Sequence, residues 1–374
     1  GVAVLAAGPA VSNGVTGAHV AYDNCLPLVI LGGSGAQGGR YTGTFQETEN
    51  VPMYKGITKM AVQVDSTRRI PEYMAMAFRK ARTGRPGPVY IDLPSDVLQN
   101  EIDEETVNWP SNYYTDVPPM GNSDQIKRAA DLLINAERPM MIIGKGVRWS
   151  EPTEELRQLV ETLGMPYVTS PMGRGFIPDD HPMNFAAARS AIMTNADVVL
   201  IAGSRLNWMF GFGRQFPADA KIIHIDIEAE EIGANRAAEV GIVGDAASVL
   251  EDMIAAWKAM RLSVDKTALA EWWKQIEVWR ERKSLSFRQN GETIKPQYAV
   301  QRLYELTKDR ETYITTEVGQ HQMWAAQHYH FDEPNRWMTS GGLGTMGYGL
   351  PAAVGTQIAH PDALVVDIAG EASS

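Results

Sequence analysis

The 374-residue sequence contains a single cysteine, Cys25. A lone thiol excludes an internal disulfide framework and fits a reducing compartment, so a cytoplasmic location is expected. Positive charge is also short: Lys+Arg 34 against Asp+Glu 45 leaves a net charge of −11. That balance argues against a general nucleic-acid or anionic-membrane binder. No apolar run approaches the roughly 18 residues that a membrane-spanning helix needs, and no basic-then-apolar leader opens the chain. Gly-x-Ser-x-Gly, His-Glu-x-x-His and Cys-x-x-Cys are all missing, which removes the commonest serine-hydrolase, zinc-protease and dithiol signatures. No repeat recurs at a fixed period, and no tract is of low complexity.

What is present is a globular balance, 44% hydrophobic and 21% charged, long enough for two or three domains with proper cores. Apolar runs of strand length alternate with helix-like segments. Val2–Leu5, Pro27–Leu31 and Val89–Leu93 read as buried strands, and Arg69–Arg82 carries Met74, Ala77 and Phe78 at helical spacing. This alternation predicts an α/β fold of parallel sheets covered by helices on both faces. Asn100–Gly121 is acidic and Pro-rich and reads as a linker, with Asp103-Glu104-Glu105 as a solvated charge run. A second unit follows. Ser123 is a candidate helix cap before Ile126, Ala129, Ala130 and Leu133, with strands at Pro139–Ile143, Val198–Ala202 and Lys221–Ile225. Thr267–Lys283 predicts a helix whose Trp272, Ile276 and Trp279 form a core or interface stripe. Lys283–Lys295 reads as a second linker, and a third alternating unit begins near Pro296. Gly1 leads straight into a strand and Ser374 follows another closely, so both ends read as truncated.

Two segments fit Gly-x-Gly-x-x-Gly, Gly33–Gly38 and Gly342–Gly347, a weak pattern alone. The first follows a strand but opens no helix, so a flexible glycine loop is an equal reading. For the second, Asn335–Ser340 is a poor strand, which argues against a dinucleotide fingerprint despite Asp367 downstream. A ligand loop at Gly341–Leu350 followed by a helix at Pro351–Ile358 fits better. Upstream, Glu317-Val318-Gly319-Gln320-His321 follows a strand at Tyr313–Thr315 and offers backbone N–H groups and polar side chains to an anion. Downstream, the strand Leu364–Ile368 delivers Gly370-Glu371-Ala372-Ser373, a carboxylate suited to a hard cation bridging to a diphosphate. His328-Tyr329-His330 has no acid or cysteine cluster beside it and reads as surface.

On these three segments, residues 290–374 closely resemble the diphosphate domain of thiamine-diphosphate enzymes, nearest to the acetolactate synthase catalytic subunit. The carrying runs are Thr316–Trp324, Met338–Gly347 and Asp367–Ser373. The resemblance implies diphosphate contacts at Val318, Gln320 and His321, and a hydrogen bond from Gly344 to the aminopyrimidine. It makes Met346 an apolar wedge that bends the cofactor, and Glu371 the Mg²⁺ ligand with Ala372 and Ser373 alongside. The broader family usually has Asp where Glu371 stands. The first unit resembles the family's pyrimidine-binding domain through Gly8-Pro9-Ala10-Val11-Ser12-Asn13 and Gly84-Arg85-Pro86-Gly87-Pro88-Val89. Phe45-Gln46-Glu47 stands where acetolactate synthases carry a Phe-Gln pair lining the substrate pocket.

Other segments are closer to a sister branch. Pro94-Ser95-Asp96-Val97 replaces the usual Pro-Lys-Asp-Val, and Gly203-Ser204-Arg205-Leu206-Asn207-Trp208 lacks the acids and second Arg of acetolactate synthases. That string, with Pro171–Gly175, Pro178–Pro182 and Ala186–Ser190, is more similar to oxalyl-CoA decarboxylase and 2-hydroxyacyl-CoA lyase. Arg85, Gly144, Gly146, Arg205, Asp226 and Asp245 fall at nucleotide-contact positions of one or both branches, for FAD in the first and for ADP or the CoA nucleotide in the second. For Asp226, a ribose-binding acid and a solvated strand end are equal readings.

The resemblance therefore implies three doubly wound domains, at 1–115 (pyrimidine), 122–262 (nucleotide) and 290–374 (diphosphate and Mg²⁺). It implies carboligation of 2-ketoacids in branched-chain amino-acid biosynthesis, with acyl-CoA lyase or decarboxylase chemistry as the alternative and a non-catalytic nucleotide-binding homologue as the second. A homodimer or tetramer and a small regulatory subunit are the expected partners. The family's activating glutamate would lie upstream of Gly1 and its second metal ligand beyond Ser374, so the chain as given is expected to bind thiamine diphosphate poorly and not to turn over.

Overall fold

A computed structural model describes residues 1–260, 266–282 and 285–371. The chain divides into two compact units, Gly1–Val117 with Ser340–Thr345, and Pro118–Thr339 with Met346–Ser374.

The first unit holds a four-stranded parallel sheet. In chain order its elements are β1 (Val2–Leu5), α1 (Pro9–Asn13), α2 (Val15–Asp23), β2 (Val29–Ser34), α3 (Asn50–Lys55), β3 (Met60–Gln63), α4 (Ile70–Arg82), β4 (Val89–Pro94) and α5 (Ser95–Gln99). The strand order is β1-β2-β4-β3. Helix α4 starts with a proline in its first turn and a nearby acid, Glu72, and ends in Arg79, Lys80 and Arg82, charges that complement its dipole. It lays Ala77 and Ala81 on Val89 and Ile91 of β4. Residues 100–122 contain one short 3₁₀ turn at Glu104–Thr106 and no longer helix or strand, as a linker should.

The second unit carries two parallel sheets. The middle one is built from α6 (Ser123–Ile134), β5 (Pro139–Ile143), α7 (Thr153–Leu163), β6 (Tyr167–Thr169), α8 (Arg189–Met193), β7 (Val198–Ala202), β8 (Lys221–Asp226), β9 (Val240–Val243), α9 (Ala246–Met260) and α10 (Lys266–Arg282). The strand order is β6-β5-β7-β8-β9. Strands β5 and β7 are apolar throughout because both faces are covered. Met141, Ile143, Leu200 and Ala202 face a core shared with α6, α7 and α9. The alternate residues Met140, Ile142, Val199 and Ile201 face Ile192, Trp272 and Ile276 on the other side. The stripe on α10 is therefore core, and Trp272 Nε1 donates to the Pro139 carbonyl at 3.2 Å. Lys283, the last residue of the helix read from sequence, lies outside the described residues.

The third sheet follows from α11 (Pro296–Thr307), β10 (Thr312–Thr316), α12 (Gln320–His328), β11 (Trp337–Thr339), α13 (Gly349–Ala359) and β12 (Leu364–Ile368), in the order β11-β10-β12. Every strand pairing in the three sheets is parallel.

Four local readings need correction. Val2–Leu5, read as a buried strand, is the edge strand β1, with Val2 and Val4 more than half exposed. The cap of α6 is Asn122, whose side chain accepts from the Asp124 and Gln125 N–H groups, and Ser123 is the first helical residue. Asn335–Ser340, read as a poor strand, contains β11, and its Trp337 is buried against Ile314. His328 is buried rather than a surface residue, and burial lowers its pKa, with His330 adding to the effect. No helix among the described residues is long and apolar enough to cross a membrane.

Candidate active site

The third sheet runs 2-1-3 in sequence order. Its chain reversal lies between β10 and β12, and open parallel sheets bind ligands outside the carboxyl ends of the strands at such a point. Register places Thr316 beside Ile368, so residues 317–321 and 369–371 share one crevice. Glu317 opens the first loop. It is fully buried, its N–H donates to the Ile368 carbonyl, and its carboxylate accepts from Gly347 N at 2.8 Å and Gly349 N at 2.5 Å. An acid at the amino end of α13 satisfies donors that the helix leaves open. Behind it, Thr315 Oγ1 donates to Asp367 at 2.8 Å. Burial holds the Asp367 carboxyl above the ordinary aspartate range, and the negative neighbour Glu317 adds to the rise.

Gly319 then turns the chain into α12 with φ +147°, and no side chain caps the first turn of that helix. The His321 ring fills the space that side chains on two glycines would need: a Cβ on Gly319 or Gly370 would stand 3.0 or 3.1 Å from it. Its Nε2 is buried and has no hydrogen-bond partner among the described residues. A helix N-terminus without a side-chain cap and an imidazole nitrogen without a partner, both among the described residues, with close-packed glycines beside them, fit a diphosphate. Val318 is half-buried and Gln320 exposed. Glu371 is exposed at the β12 end of the crevice, whereas Ala372 and Ser373 lie outside the described residues. Met346 is 75% exposed. Among the described residues no three His, Cys, Asp or Glu side chains converge on a metal position.

The middle sheet has the same 2-1-3 reversal, between β5 and β7, and it packs Gly144 and Gly146 against Gly203, two residues before Arg205. Gly144 N donates to the Ala202 carbonyl and Gly146 N to the Gly203 carbonyl, each at 2.8 Å. A Cβ on Gly144 would lie 2.1 Å from Gly203 O, so only glycine allows this crossing. Beside it, burial keeps the His224 imidazole below its ordinary pKa, with Nε2 on the Ser204 carbonyl at 3.0 Å. Asp226 is buried at the end of β8 and its Oδ1 accepts from Glu228 N. Asp245 accepts from Ser248 N and so caps α9.

In the first unit, Gln46 adopts φ +59° and abuts Gly8, at φ +67°. The two motifs read from sequence, Gly8–Asn13 and Phe45–Glu47, are therefore neighbours. Phe45 is 88% exposed. The Glu47 carboxylate ties the loop by accepting from the backbone N–H groups of Tyr41, Gly43 and Thr44, and these bonds, Tyr41 first, lower its pKa. Beneath lies a 310 Å³ cavity floored by Asp92, which accepts from Ser34, Gln63, Asn50 and Tyr90 at 2.6–2.8 Å. Arg85 stacks on Tyr22 at 6.0 Å. Gly344, φ +69°, sits in a turn closed by its N–H on the Ser340 carbonyl. Sequence reading named Glu317 only as part of its motif and passed over Asp92, whose signal is an acid interrupting the otherwise apolar strand β4.

Reversal points in two parallel sheets, one of them bordered by a loop suited to a diphosphate, define the class as an α/β ligand-binding protein. Residues 126–253 match the family "Thiamine pyrophosphate enzyme, central domain", and residues 317–374 match "Thiamine pyrophosphate enzyme, C-terminal TPP binding domain". Similar proteins include the acetolactate synthase isozyme 3 large subunit of Escherichia coli (strain K12), 37% identical over 100% of this chain and 67% of its own length. The acetolactate synthase large subunit of Haemophilus influenzae is 34% identical over 100% of this chain and 66% of its own. Acetolactate synthase of Mycobacterium leprae is 36% identical over 99% and 60%. The chain belongs to the thiamine pyrophosphate enzymes of the acetolactate synthase large-subunit type, and it spans about two thirds of the length of these relatives.

Proposed function

We propose that the protein makes acetolactate-type products in branched-chain amino-acid biosynthesis, decarboxylating pyruvate and joining the two-carbon unit to a second 2-ketoacid. The observation that carries this reading is the crevice between β10 and β12, where His321 Nε2 has no hydrogen-bond partner among the described residues and its ring packs closely on Gly319 and Gly370. Thiamine diphosphate, when bound, supplies the carbon nucleophile and electron sink for bond making and breaking beside a carbonyl. The chain's own residues bind and orient it. Val318, Gln320 and His321 take the diphosphate at the start of α12, Gly344 receives the aminopyrimidine, and Met346 is the bending wedge. Glu371 would hold Mg²⁺, a hard cation suited to its carboxylate and to a diphosphate. Ala372 and Ser373 flank it. Phe45 and Gln46 would line the path of the ketoacid, where an apolar environment would favour loss of the carboxylate's charge.

The domains in this reading are 1–115 for the pyrimidine, 122–262 for a nucleotide and 290–374 for the diphosphate. Gly144, Gly146, Arg205, Asp226 and Asp245, with Arg85, hold FAD in the middle domain. The working protein is a cytoplasmic homodimer or tetramer with a small regulatory subunit. A second reading rests on residues 203–208, a segment without an acid, in which Asn207 caps a 3₁₀ turn and Trp208 is 60% exposed. An exposed indole suits the adenine of ADP or CoA, and with it an acyl-CoA substrate.

Calorimetric titration with FAD, ADP and CoA separates the two. FAD binding without response to ADP or CoA supports the 2-ketoacid reading, and preference for ADP or CoA transfers it to acyl-CoA substrates. Titration with thiamine diphosphate and Mg²⁺ should give only a weak heat, and His321→Ala should abolish it. An unchanged isotherm in that variant would remove the diphosphate assignment.

A further inference from the structure

Helix α12 presents its first turn to the proposed diphosphate crevice, and its last turn is held by the middle domain. Arg174 Nη1 donates to the Ala326 carbonyl at 2.6 Å and Nη2 to the Tyr329 carbonyl at 3.3 Å. These are carbonyls that the end of α12 leaves without intrahelical partners, where a cation also complements the helix dipole. The guanidinium pairs with Asp179 at 2.5 Å, with side chains 11% and 2% exposed. It stacks over Phe331 and Trp337 at 5.0 and 5.5 Å. Asp179 Oδ2 also accepts from Phe331 N, and Asp179 N donates back to the Phe331 carbonyl. The arginine itself is anchored on the middle sheet. Gly173 packs so tightly on the end of β5 that a Cβ would lie 2.5 Å from Ile143 O, and one on Gly175 would lie 2.0 Å from Glu333 O.

A second route leads from the same guanidinium to the same turn. Trp337, on which it stacks, donates from Nε1 to Thr316 Oγ1 at 3.3 Å, Thr316 donates to Thr339 Oγ1 at 2.7 Å, and Gln322 Nε2 donates to Thr339 Oγ1 at 2.6 Å. Thr316 is the last residue of β10 and Gln322 lies in the first turn of α12. The two ends of α12 are thus tied to one buried arginine, across a helix about 13 Å long at 1.5 Å per residue.

We propose that Arg174, fixed by Asp179, is a positioning residue: it sets the Gly319–His321 turn from the middle domain, through the carboxyl end of α12 and through Trp337. The role as a diphosphate aid rests on the function proposed above. The positioning itself does not, because it is a property of the apo chain. A contact that merely glued two sheets together would affect stability at the junction and leave the far turn alone.

The test uses the purified chain and Arg174→Gln, Asp179→Asn, Arg174→Lys and Trp337→Phe, read first by hydrogen–deuterium exchange without ligand. Arg174→Gln and Asp179→Asn should accelerate exchange about tenfold over residues 317–323 while β5 and β7 stay unchanged. Arg174→Lys, which keeps the charge but cannot span two carbonyls, should restore only part. Trp337→Phe keeps an aromatic face and loses the N–H donor, so it should loosen 317–323 while 326–331 stays protected. Affinity for thiamine diphosphate with Mg²⁺ should fall about tenfold in Arg174→Gln, and nucleotide affinity should not change. Acceleration confined to 324–331, uniform acceleration across the second unit, or none would overturn the proposal. If the unmodified chain does not bind thiamine diphosphate yet 317–323 responds, the positioning stands and the diphosphate reading falls. If it binds and no variant alters exchange or affinity, the reverse holds.

Discussion

Glu317 and Asp367 place two carboxyl groups behind one crevice, and the fold treats them differently. Glu317 satisfies two backbone N–H groups at the start of α13. Removing it as Glu317→Ala would leave both donors buried, at a cost of about 2–4 kcal/mol, readable as a lower denaturation midpoint. Asp367 has one hydroxyl donor, Thr315, and its pKa is raised by burial and then by Glu317. A carboxyl whose folded pKa exceeds its unfolded value binds the proton more tightly when folded. Its contribution to stability is therefore complete below the ordinary aspartate value, about 3.9, and is lost as pH rises through the raised one. Asp367→Asn keeps the acceptor for Thr315 and discards the charge. The variant should melt above the parent at pH 7, with the gap closing as pH falls toward 4. A gap that persisted at low pH would place its origin outside this titration.

At the scale of elements, two predictions separate adjacent residues. Asn122 caps α6 and Ser123 does not. Asn122→Ala should cost about 1 kcal/mol in urea titrations and Ser123→Ala close to nothing. The loops after β5 and β7 cross at glycine. Gly144→Ala must push them apart by more than an ångström, so nucleotide binding should drop beyond detection in calorimetry. The exchange protection of β10 should persist. The same sheets explain what could be read from sequence. Central strands β5 and β7 are buried on both faces and stand out as uninterrupted apolar runs. Strands β3, β6, β9 and β11 went unread, and each is an edge strand of three or four residues. An edge strand has one neighbour, so it needs less apolar length to form and leaves less of it in the sequence. The site was legible in a different way. Its loops announce themselves by glycine and acid at strand ends. The capping of α12 by Arg174 is invisible, since it joins residues 152 and 155 positions apart.

For the whole molecule, the cores are unequal. The middle sheet is enclosed by two large apolar clusters, one running from Ile126 to Trp257 and the other from Met140 to Ile276. The first unit divides its core into smaller clusters around Val89 and Tyr90. The third sheet rests on Ile314, Phe331, Trp337 and a few neighbours. Buried apolar area is the largest favourable term in folding, about 25 cal/mol per Å², so stability is expected to concentrate in the middle sheet. A chain of several cores has no obligation to unfold in one step. In rising urea, the amides of β2, β4, β10 and β12 should lose exchange protection before those of β5, β7 and β8. Arg174→Gln should widen the interval between β10 and β5, because it cuts a buried tie between their sheets and leaves the middle core intact. Native-state exchange followed strand by strand reads this order directly. Simultaneous loss in all three sheets would mean that the cores unfold as one cooperative body, and that the Arg174 clasp transmits stability as well as position.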